Sequence, residues 1–394
     1  MSVTIRQEIN ILDAILSAAG GSSATANELV QLDTTKYNNP SYYFEVVADS
    51  TVSISFAVIL YHGAFTEVTR CTIPLLTTSY KRVRSAAFTP PAGVDDYGIQ
   101  IDATAGATKN VKTARIIIID NPSTLAVMET QIEVGSNATS TSTSLAAIAN
   151  PKYWLYTAAN WNGTPQFFFE AVFKTTNSKA TATVQLQQDD GSFANWTNVT
   201  NGSVTSTQAN QIVRVRTSSA FTPVTGRHYR VAVSTGNSKS AMSIYCAKII
   251  VQQTNPTLLE PQYLLLNTAD AGTGLQTYQT LIDLTEWSAV TNTYKHAIDS
   301  DNASNSAKLQ DIDNGNADIT SSTVTGSNQQ ISADLAANFT SGHQVDVNVT
   351  NSTGTVAASR ILVGVTLASE TITPDKWLLP TNQPVREIDR VVSY

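Results

Sequence analysis

Few residues in this sequence have the types and spacing that catalysis requires. Its histidines are His62, His228, His296 and His343. None of them falls in an H-E-x-x-H or H-x-H motif, and no C-x-x-C pair occurs, so a zinc site has little support. The sequence also contains no Walker A loop, no G-x-G-x-x-G loop and no G-x-S-x-G nucleophile elbow. We therefore predict that the protein is not an enzyme.

Acidic residues recur along the chain, but they are not paired in the way that glycoside hydrolysis requires. The recurring acids are Glu45, Glu170 and Asp283. Glycosidases need two carboxylates about 5–9 Å apart in one site. These three acids lie more than a hundred residues apart, each in its own copy of the sequence repeat described below. The recurring bases are Arg115, Lys248 and Arg360. A structural pairing between these acids and bases is the simpler interpretation, and an exposed pair would contribute only about 0–1 kcal/mol.

Asp311, Asp313 and Asp318 form the densest group of oxygen ligands, together with Asn314. Calcium prefers six to eight oxygens, and an EF-hand loop carries glycine at position six. Counted from Asp311, Gly315 falls at position five, so the EF-hand motif fails. A structural Ca²⁺ is a weak candidate here, and a solvated Asp/Asn turn is the simpler interpretation. We predict no other cofactor.

Three tryptophans are candidates for contact with a glycan, because a flat aromatic ring can stack on the apolar face of a sugar. They are Trp161, Trp154 and Trp196. Trp161 lies in an Asn-Trp-Asn-Gly segment that is typical of a loop. Packing in a hydrophobic core is the alternative for each ring.

Composition and charge exclude two classes of partner. Of the 394 residues, 42% are hydrophobic, which is sufficient for real cores. The net charge of −7 offers no basic stripe, so we expect no nucleic-acid partner. No apolar run approaches the roughly 18 residues of a membrane span, and the N-terminus does not resemble a signal peptide. These features predict synthesis in a cytoplasm and no membrane partner.

The sequence repeats itself with a period of roughly 133 residues. A Phe-Thr-Pro segment at residues 88–90 returns at 221–223, and the Ile-rich run at 114–119 returns at 247–251. A third, weaker copy ends at residues 359–363. Alternating apolar and polar residues at 52–58 and 229–233 predict β-strands. Strands joined by short turns, without intervening helices, favour antiparallel sheets packed face to face.

These repeats resemble the jelly-roll sandwich of carbohydrate-binding modules and galactose-binding-like domains. The resemblance covers roughly residues 25–370 and is carried by the Phe-Thr-Pro segment, the following Gly and Tyr, and the Ile/Val-rich last strand. It implies an all-β fold of three tandem antiparallel jelly-roll-like sandwiches. Similar modules occur in decoration, fibre and tail proteins of bacteriophage virions.

The two ends of the chain predict assembly segments. Ile5, Ile9, Leu12 and Leu16 form one apolar stripe at helical spacing, which predicts a short N-terminal helix. Three prolines after residue 371 predict an extended C-terminal arm. The apolar residues of this arm that need burial include Trp377, Leu378, Ile388 and Val391. Either segment could contact a neighbouring subunit or fold back on its own chain.

The predicted organisation has five parts: a helical assembly segment at 1–24, sandwiches at 25–125, 126–258 and 259–370, and an extended arm at 371–394. The leading functional hypothesis is a virion structural protein, a capsid decoration, fibre or tail-associated component. Its predicted partners are itself, as a homo-oligomer, and other virion proteins. The alternative is a carbohydrate-binding or adhesive protein with surface glycans as partners.

Overall fold

The computed structural model describes residues 5–12, 15–37, 39–74, 79–104, 106–120, 128–149, 151–177, 181–266, 272–276, 278–282, 284, 291–351 and 353–366. Across these ranges the chain is all-β, as predicted, and contains no α-helix. Short 3₁₀ turns occur at Thr34–Lys36, Ala158–Asn160 and Ala336–Asn338. None of the described helical turns has the length and apolar character needed to cross a membrane.

Within the described ranges, six antiparallel sheets fall into three pairs along the chain. The strands of the first sheet pair are β1 (Ile5–Asn10), β2 (Leu16–Ala18), β3 (Ala24–Thr25), β4 (Val30–Asp33), β5 (Ser41–Ser50), β6 (Phe56–His62), β7 (Thr66–Ile73), β8 (Lys81–Arg84), β9 (Val94–Ile101) and β10 (Lys109–Asp120). The strands of the second sheet pair are β11 (Met128–Ser140), β12 (Ala146–Ala147), β13 (Trp154–Leu155), β14 (Gln166–Thr175), β15 (Ala182–Gln188), β16 (Thr197–Ser206), β17 (Ile212–Arg216), β18 (His228–Ser234) and β19 (Met242–Gln253).

The third sheet pair follows the same plan. Its strands are β20 (Leu258–Leu259), β21 (Gln262–Leu266), β22 (Gly274–Leu275), β23 (Thr280–Ile282), β24 (Thr291–Ser300), β25 (Ser306–Asp311), β26 (Ala317–Asp318), β27 (Val324–Thr325), β28 (Asn328–Ile331), β29 (His343–Thr350) and β30 (Val356–Thr366).

Strand order within each pair is that of a jelly roll, when short collinear strands are counted together. One sheet carries the first, eighth, third and sixth strands, which in the first pair is the order β1-β10-β5-β8. The other sheet carries the second, seventh, fourth and fifth strands, as in β3-β9-β6-β7. The same two orders recur in the second and third pairs. We call the sheet that holds the first and last strands the terminal-strand sheet.

The repeat extends to the burial of individual side chains. β5 and β14 have the same sequence of buried and exposed positions, and so do β10 and β19. The central run of β10 is isoleucine, whose branched side chain favours strands, and Ile116–Ile118 are completely buried. Strands buried on both faces need a continuous apolar run rather than simple alternation.

Buried hydrophobic residues of the described chain form two clusters rather than one for each sheet pair. One cluster joins both sheets of the first pair and includes Phe44, Leu60 and Ile116. The other runs through the second and third pairs together, from Met128 to Val365. The division into three independent sandwich domains, with the boundaries given above, therefore stays a prediction.

The predicted N-terminal helix is wrong. Residues 5–10 form β1, which pairs along its whole length with the isoleucine-rich β10. Residues 16–18 form β2, which also pairs with β10. A short isolated helix is marginal in water, so a ladder of backbone hydrogen bonds to a buried strand prevails over the helical spacing of apolar residues. Ile9 and Leu12 lie in the core of the first sheet pair, and Leu16 packs against it.

In the third repeat, the position that corresponds to Glu45 and Glu170 is not that of Asp283. Glu45 lies opposite Arg115, and Glu170 lies opposite Lys248, in equivalent strand pairs. The residue opposite Arg360 is Ala297 of β24. Asp283 lies outside the described residues, as does the C-terminal arm with Trp377, Leu378, Ile388 and Val391.

Candidate functional site

The three terminal-strand sheets meet through buried polar residues, and we call the contact between any two sheet pairs a seam. Arg115, Lys248 and Arg360 occupy equivalent places on the last strands of the three pairs. Their exposures are 2%, 3% and 0%. Charged side chains are rarely buried to this extent unless they are paired. Each of these cations therefore needs hydrogen-bond acceptors inside the molecule.

Each cation donates at least one hydrogen bond across a seam, and these contacts run in one direction around the molecule. Lys248 Nζ of the second pair donates to the carbonyl oxygen of Asn10 in the first pair at 3.0 Å. Arg360 Nη1 of the third pair donates to the carbonyl oxygen of Glu133 in the second at 3.2 Å. Arg115 Nη2 of the first pair donates to the carbonyl oxygen of Gln279 in the third at 2.7 Å. The three sheet pairs therefore form a closed ring.

A second set of contacts runs around the same ring. Its donors hold equivalent places on the sixth strands of the terminal-strand sheets: Arg82, Arg214 and Gln329. Arg82 donates to Gln344 of the third pair at 3.2 Å. Arg214 donates to Asp96 of the first pair at 2.8 Å. Gln329 donates to the carbonyl oxygen of Tyr153 in the second pair at 2.8 Å.

Glu45 lies beside three arginines of its own sheet. Its carboxylate accepts from Arg82 at 2.6 Å and Arg84 at 3.1 Å, and Arg115 lies 3.5 Å away. Burial by itself would raise the pKa of Glu45, but these guanidinium groups outweigh burial and lower the pKa to about 2. Glu170 has the matching contacts in the second pair, with Arg214 at 3.0 Å and Arg216 at 2.8 Å.

In the third pair the acid has moved two residues along the strand. Asp299 is fully buried, accepts from Arg360 and also accepts from the backbone N–H of Tyr153 at 3.2 Å. Burial raises the pKa of Asp299, and the contact with Arg360 only partly offsets this effect. A single acid thus receives hydrogen bonds from two sheet pairs.

The ring encloses a small polar cavity of about 20 Å³. Its lining comes from all three sheet pairs: Glu8, Asn10, Arg115, Gln131, Glu133, Lys248 and Gln262. A cavity of this size holds about one water molecule, so no organic substrate fits there. The charges at the centre neutralise one another and fix the arrangement of the sheets.

A larger cavity of about 100 Å³ opens at the seam between the second and third pairs, and we call it the seam cavity. It is lined by Trp154, Leu155, Thr157, Asn160, Glu260, Gln262, Lys295, Gln329, Ile331 and Leu362. The amide of Asn160 donates to the carboxylate of Glu260. Burial raises the pKa of Glu260 to about 7, although Lys295 and Asn160 act in the opposite direction.

Two of the three tryptophans that the sequence predicts as glycan contacts are buried together, and the third lies apart from them. Trp154 and Trp161 are 1% and 5% exposed, and both rings pack on Phe167 in the core of the second pair. Trp196 is half-buried, with the guanidinium of Arg230 3.9 Å from the centre of its ring. Trp154 also lines the seam cavity, so this buried aromatic cluster extends to the seam between the second and third pairs.

The predicted calcium ligands each contact a different partner. Asp311 accepts from His343 at 2.8 Å, and Asp318 accepts from Lys308 at 2.7 Å. Asp313 accepts from the backbone N–H of Gln344 at 2.7 Å. Within the described part of the chain, no group of three or more His, Cys, Asp or Glu side chains is placed to hold a metal ion. Calcium binding here stays a prediction.

Histidine pairs with aspartate at one corner of each sheet pair. The pairs are His62–Asp95 at 2.5 Å, His228–Asp189 at 2.9 Å and His343–Asp311 at 2.8 Å. Each pair joins two neighbouring strands of the sheet that lacks the terminal strands, or the turns beside them. Because the His–Asp pair recurs in all three sheet pairs, we infer that it holds these neighbouring strands together.

The polar residues of β1 are the part of the site that sequence reasoning missed. Arg6, Glu8 and Asn10 alternate along the strand, and each of them makes a hydrogen bond across a seam. Arg6 donates to the carbonyl oxygen of Leu281 in the third pair at 2.8 Å. Their period of two was a strand signal, but the helical spacing of the neighbouring apolar residues obscured it.

Comparison with known proteins identifies only distant similarity. No protein-family model and no curated protein matches the sequence. Among solved structures, the tandem CBM22 domains of Paenibacillus barcinonensis Xyn10C are 10% identical, with 62% of this chain and 92% of that chain covered and a TM-score of 0.19.

Two viral proteins cover more of the chain. A triple jelly-roll protein from work on turret assembly in an archaeal virus is 10% identical, with 93% and 91% coverage and a TM-score of 0.19. VP2 of the infectious bursal disease virus subviral particle is 11% identical, with 93% and 80% coverage and a TM-score of 0.21. At these TM-scores the similarities carry no argument about what this chain does.

Proposed function

We propose that this chain is a non-enzymatic structural component of a virion, a capsid decoration, fibre or tail-associated protein that acts through its surfaces. The observation that supports the proposal is the closed ring of seam contacts. Lys248, Arg360 and Arg115 each reach into the next sheet pair, so one chain reproduces the arrangement of a cyclic trimer.

A block of this kind suits a symmetric position in a particle. Closed cyclic arrangements are the commonest form of protein assembly, and a component with matching symmetry meets equivalent neighbours on each side. Low charge also fits this role, since 14% charged residues leave little repulsion between closely packed copies. The proposed partners are further copies of the chain and other virion proteins.

The proposal is tested on particles made with and without the gene for this chain. We expect the chain in purified particles at a fixed copy number, seen by mass spectrometry. Density for three jelly rolls in a ring should appear in a particle reconstruction and vanish from particles that lack the gene. Particles of unchanged composition and infectivity, with the chain left in the supernatant as a monomer, would contradict the proposal.

A second candidate function is carbohydrate binding or adhesion. The observation that favours it is the seam cavity, where Trp154 lies beside a carboxyl group, an ammonium group and several amides. This combination of one aromatic ring with convergent polar groups is typical of small-ligand sites. The two functions are compatible, because a surface component of a particle can also attach to a host glycan.

A further inference from the structure

We propose that the seam cavity binds a single sugar residue, either the terminal residue of a glycan or a free sugar of the same size. The inference rests on the carbohydrate-binding alternative and is independent of a place in a virion. The site lies between two sheet pairs, because Trp154 and Asn160 come from the second pair while Glu260 and Lys295 come from the third.

The polar groups of the seam cavity match hydroxyl groups better than they match a charged ligand. Lys295 brings a positive charge to the cavity, and Glu260, which titrates near neutral pH, offsets part of it, so the site offers an ion at most a fraction of one charge. Three amide side chains add both donors and acceptors: Asn160, Gln262 and Gln329. A sugar hydroxyl both donates and accepts, so it can contact each of these groups.

Two side chains of the lining hold a buried polar atom without a hydrogen-bond partner. These atoms are the indole Nε1 of Trp154 and the Oε1 of Gln329. An unpaired buried donor or acceptor costs about 1–3 kcal/mol, so a ligand group that pairs with one of these atoms recovers part of that cost. A hydroxyl group both donates and accepts, so it is a ligand group that matches the indole donor and the amide acceptor alike.

The size and walls of the cavity select one ring rather than an extended ligand. About 100 Å³ is more than one water occupies but well below the roughly 300–1,000 Å³ of a drug-sized pocket. Leu155 and Leu362 supply apolar wall, and Ile331 is 36% exposed at the rim. We therefore infer that one sugar ring enters edge-on while the rest of a glycan stays in solvent.

The test uses the full chain with two kinds of probe. A glycan array reports terminal residues, and saturation-transfer NMR with free glucose, galactose, mannose and glycerol reports free ligands. We expect saturable binding that falls at least about tenfold in Glu260→Gln and in Lys295→Met, because the first variant replaces a carboxyl acceptor by an amide and the second removes the ammonium donor. Glu260→Gln preserves the side-chain volume and the hydrogen bond from Asn160, so the seam should stay folded.

Two variants serve as controls. Arg70→Met removes an exposed ion pair with Glu67 in the first sheet pair and should leave binding unchanged. Trp196→Ala removes the half-buried surface ring and should also leave binding unchanged. Near-UV circular dichroism checks that each variant retains native packing.

The possible outcomes distinguish an error in the location of the binding site from the absence of carbohydrate binding. Binding that is lost in Glu260→Gln but retained in Trp196→Ala supports the seam cavity. Binding that is lost in Trp196→Ala and retained in Glu260→Gln overturns the seam cavity but leaves carbohydrate binding in place. An array and a free-sugar panel without any saturable signal overturn both.

Discussion

At the scale of single residues, burial reverses the expectation for the repeated cations. From the sequence, Arg115 and its equivalents were expected to form exposed pairs of small energetic effect. In the structure Arg115 is 2% exposed, and its removal would leave partners without compensation. Replacing both members of a buried pair by apolar groups is often neutral, whereas removing one member costs about 3–5 kcal/mol. We therefore infer that these residues contribute more to the choice of which sheets pack together than to the net free energy of unfolding.

We expect Arg360→Met to lower the free energy of unfolding by about 3–5 kcal/mol, because the buried carboxylate of Asp299 loses its cation. The double variant Arg360→Met/Asp299→Asn should recover part of this loss. Urea denaturation of the three proteins measures both effects.

The matched control for Arg360→Met is Arg70→Met, whose side chain is 50% exposed and pairs with Glu67. This variant should change stability by no more than about 1 kcal/mol. Equal losses in the two arginine variants would contradict the buried seam.

His296 gives a prediction for pH. The imidazole is fully buried between the carbonyl oxygen of Ser322 and the hydroxyl of Ser359, and burial lowers its pKa to about 4. The unfolded pKa is about 6.5, so the folded state resists a proton that the unfolded state accepts. The contribution to stability is complete above about pH 6.5 and is lost as the pH falls to about 4, on the order of 3 kcal/mol.

His296→Gln isolates this effect. The difference in unfolding free energy between the wild type and the variant should be constant above about pH 7. It should shift against the wild type as the pH falls from 6.5 to 4. Parallel pH profiles would show that the buried imidazole does not titrate as expected.

At the scale of elements, the sequence predicted the strands that repeat strongly and missed those set by distant partners. The Phe-Thr-Pro and Ile-rich segments gave the correct correspondence between the first two sheet pairs, because β10 and β19 keep the same burial at each position. In the third pair, Ala297 of β24 holds the position that corresponds to Glu45, and the buried acid is Asp299, two residues further along. The sequence comparison therefore matched Glu45 with Asp283, which does not belong to β24. The partner of β1 lies about a hundred residues away, which no local pattern reveals.

The N-terminal segment offers a direct comparison of helix and strand. Ile11 and Ile15 are four residues apart, so they would widen the predicted helical stripe on one side and be buried alike. In the structure Ile11 is 1% exposed and Ile15 is 46% exposed. We expect Ile11→Ala to cost about 2–5 kcal/mol and Ile15→Ala to stay within about 0.5 kcal/mol. Thermal denaturation compares the two variants, and similar losses would favour the helix.

At the scale of the whole molecule, the seams differ in kind. The second and third sheet pairs share one hydrophobic cluster, whereas the hydrophobic cluster of the first pair is separate. The first pair is therefore held largely by polar contacts, such as those of Arg214 with Asp96 and Lys248 with Asn10. Unfolding of the first pair should be the easiest to separate from the rest.

Two arginines of β17 test this hierarchy. Both have side chains that are 19% exposed and both contact Glu170, but Arg214 also crosses to Asp96 whereas Arg216 pairs with Glu129 of its own sheet pair. We expect Arg214→Met to speed hydrogen exchange in β5 and β10 relative to β19 and β30, because it weakens the link to the first pair. Arg216→Met should not change this ratio. Equal effects of the two variants on the ratio would contradict the hierarchy.

The ring of three repeats in one chain also releases each repeat from identity with the others. A trimer of separate subunits must place the same residue at all its interfaces, whereas a fused chain can hold Glu45, Glu170 and Ala297 at corresponding places. A partner on a threefold axis would then meet three unequal surfaces. The three rotational settings of the chain are equivalent to such a partner, but each setting singles out one of its three sides, so a shell built with the chain carries a direction that a true trimer cannot encode.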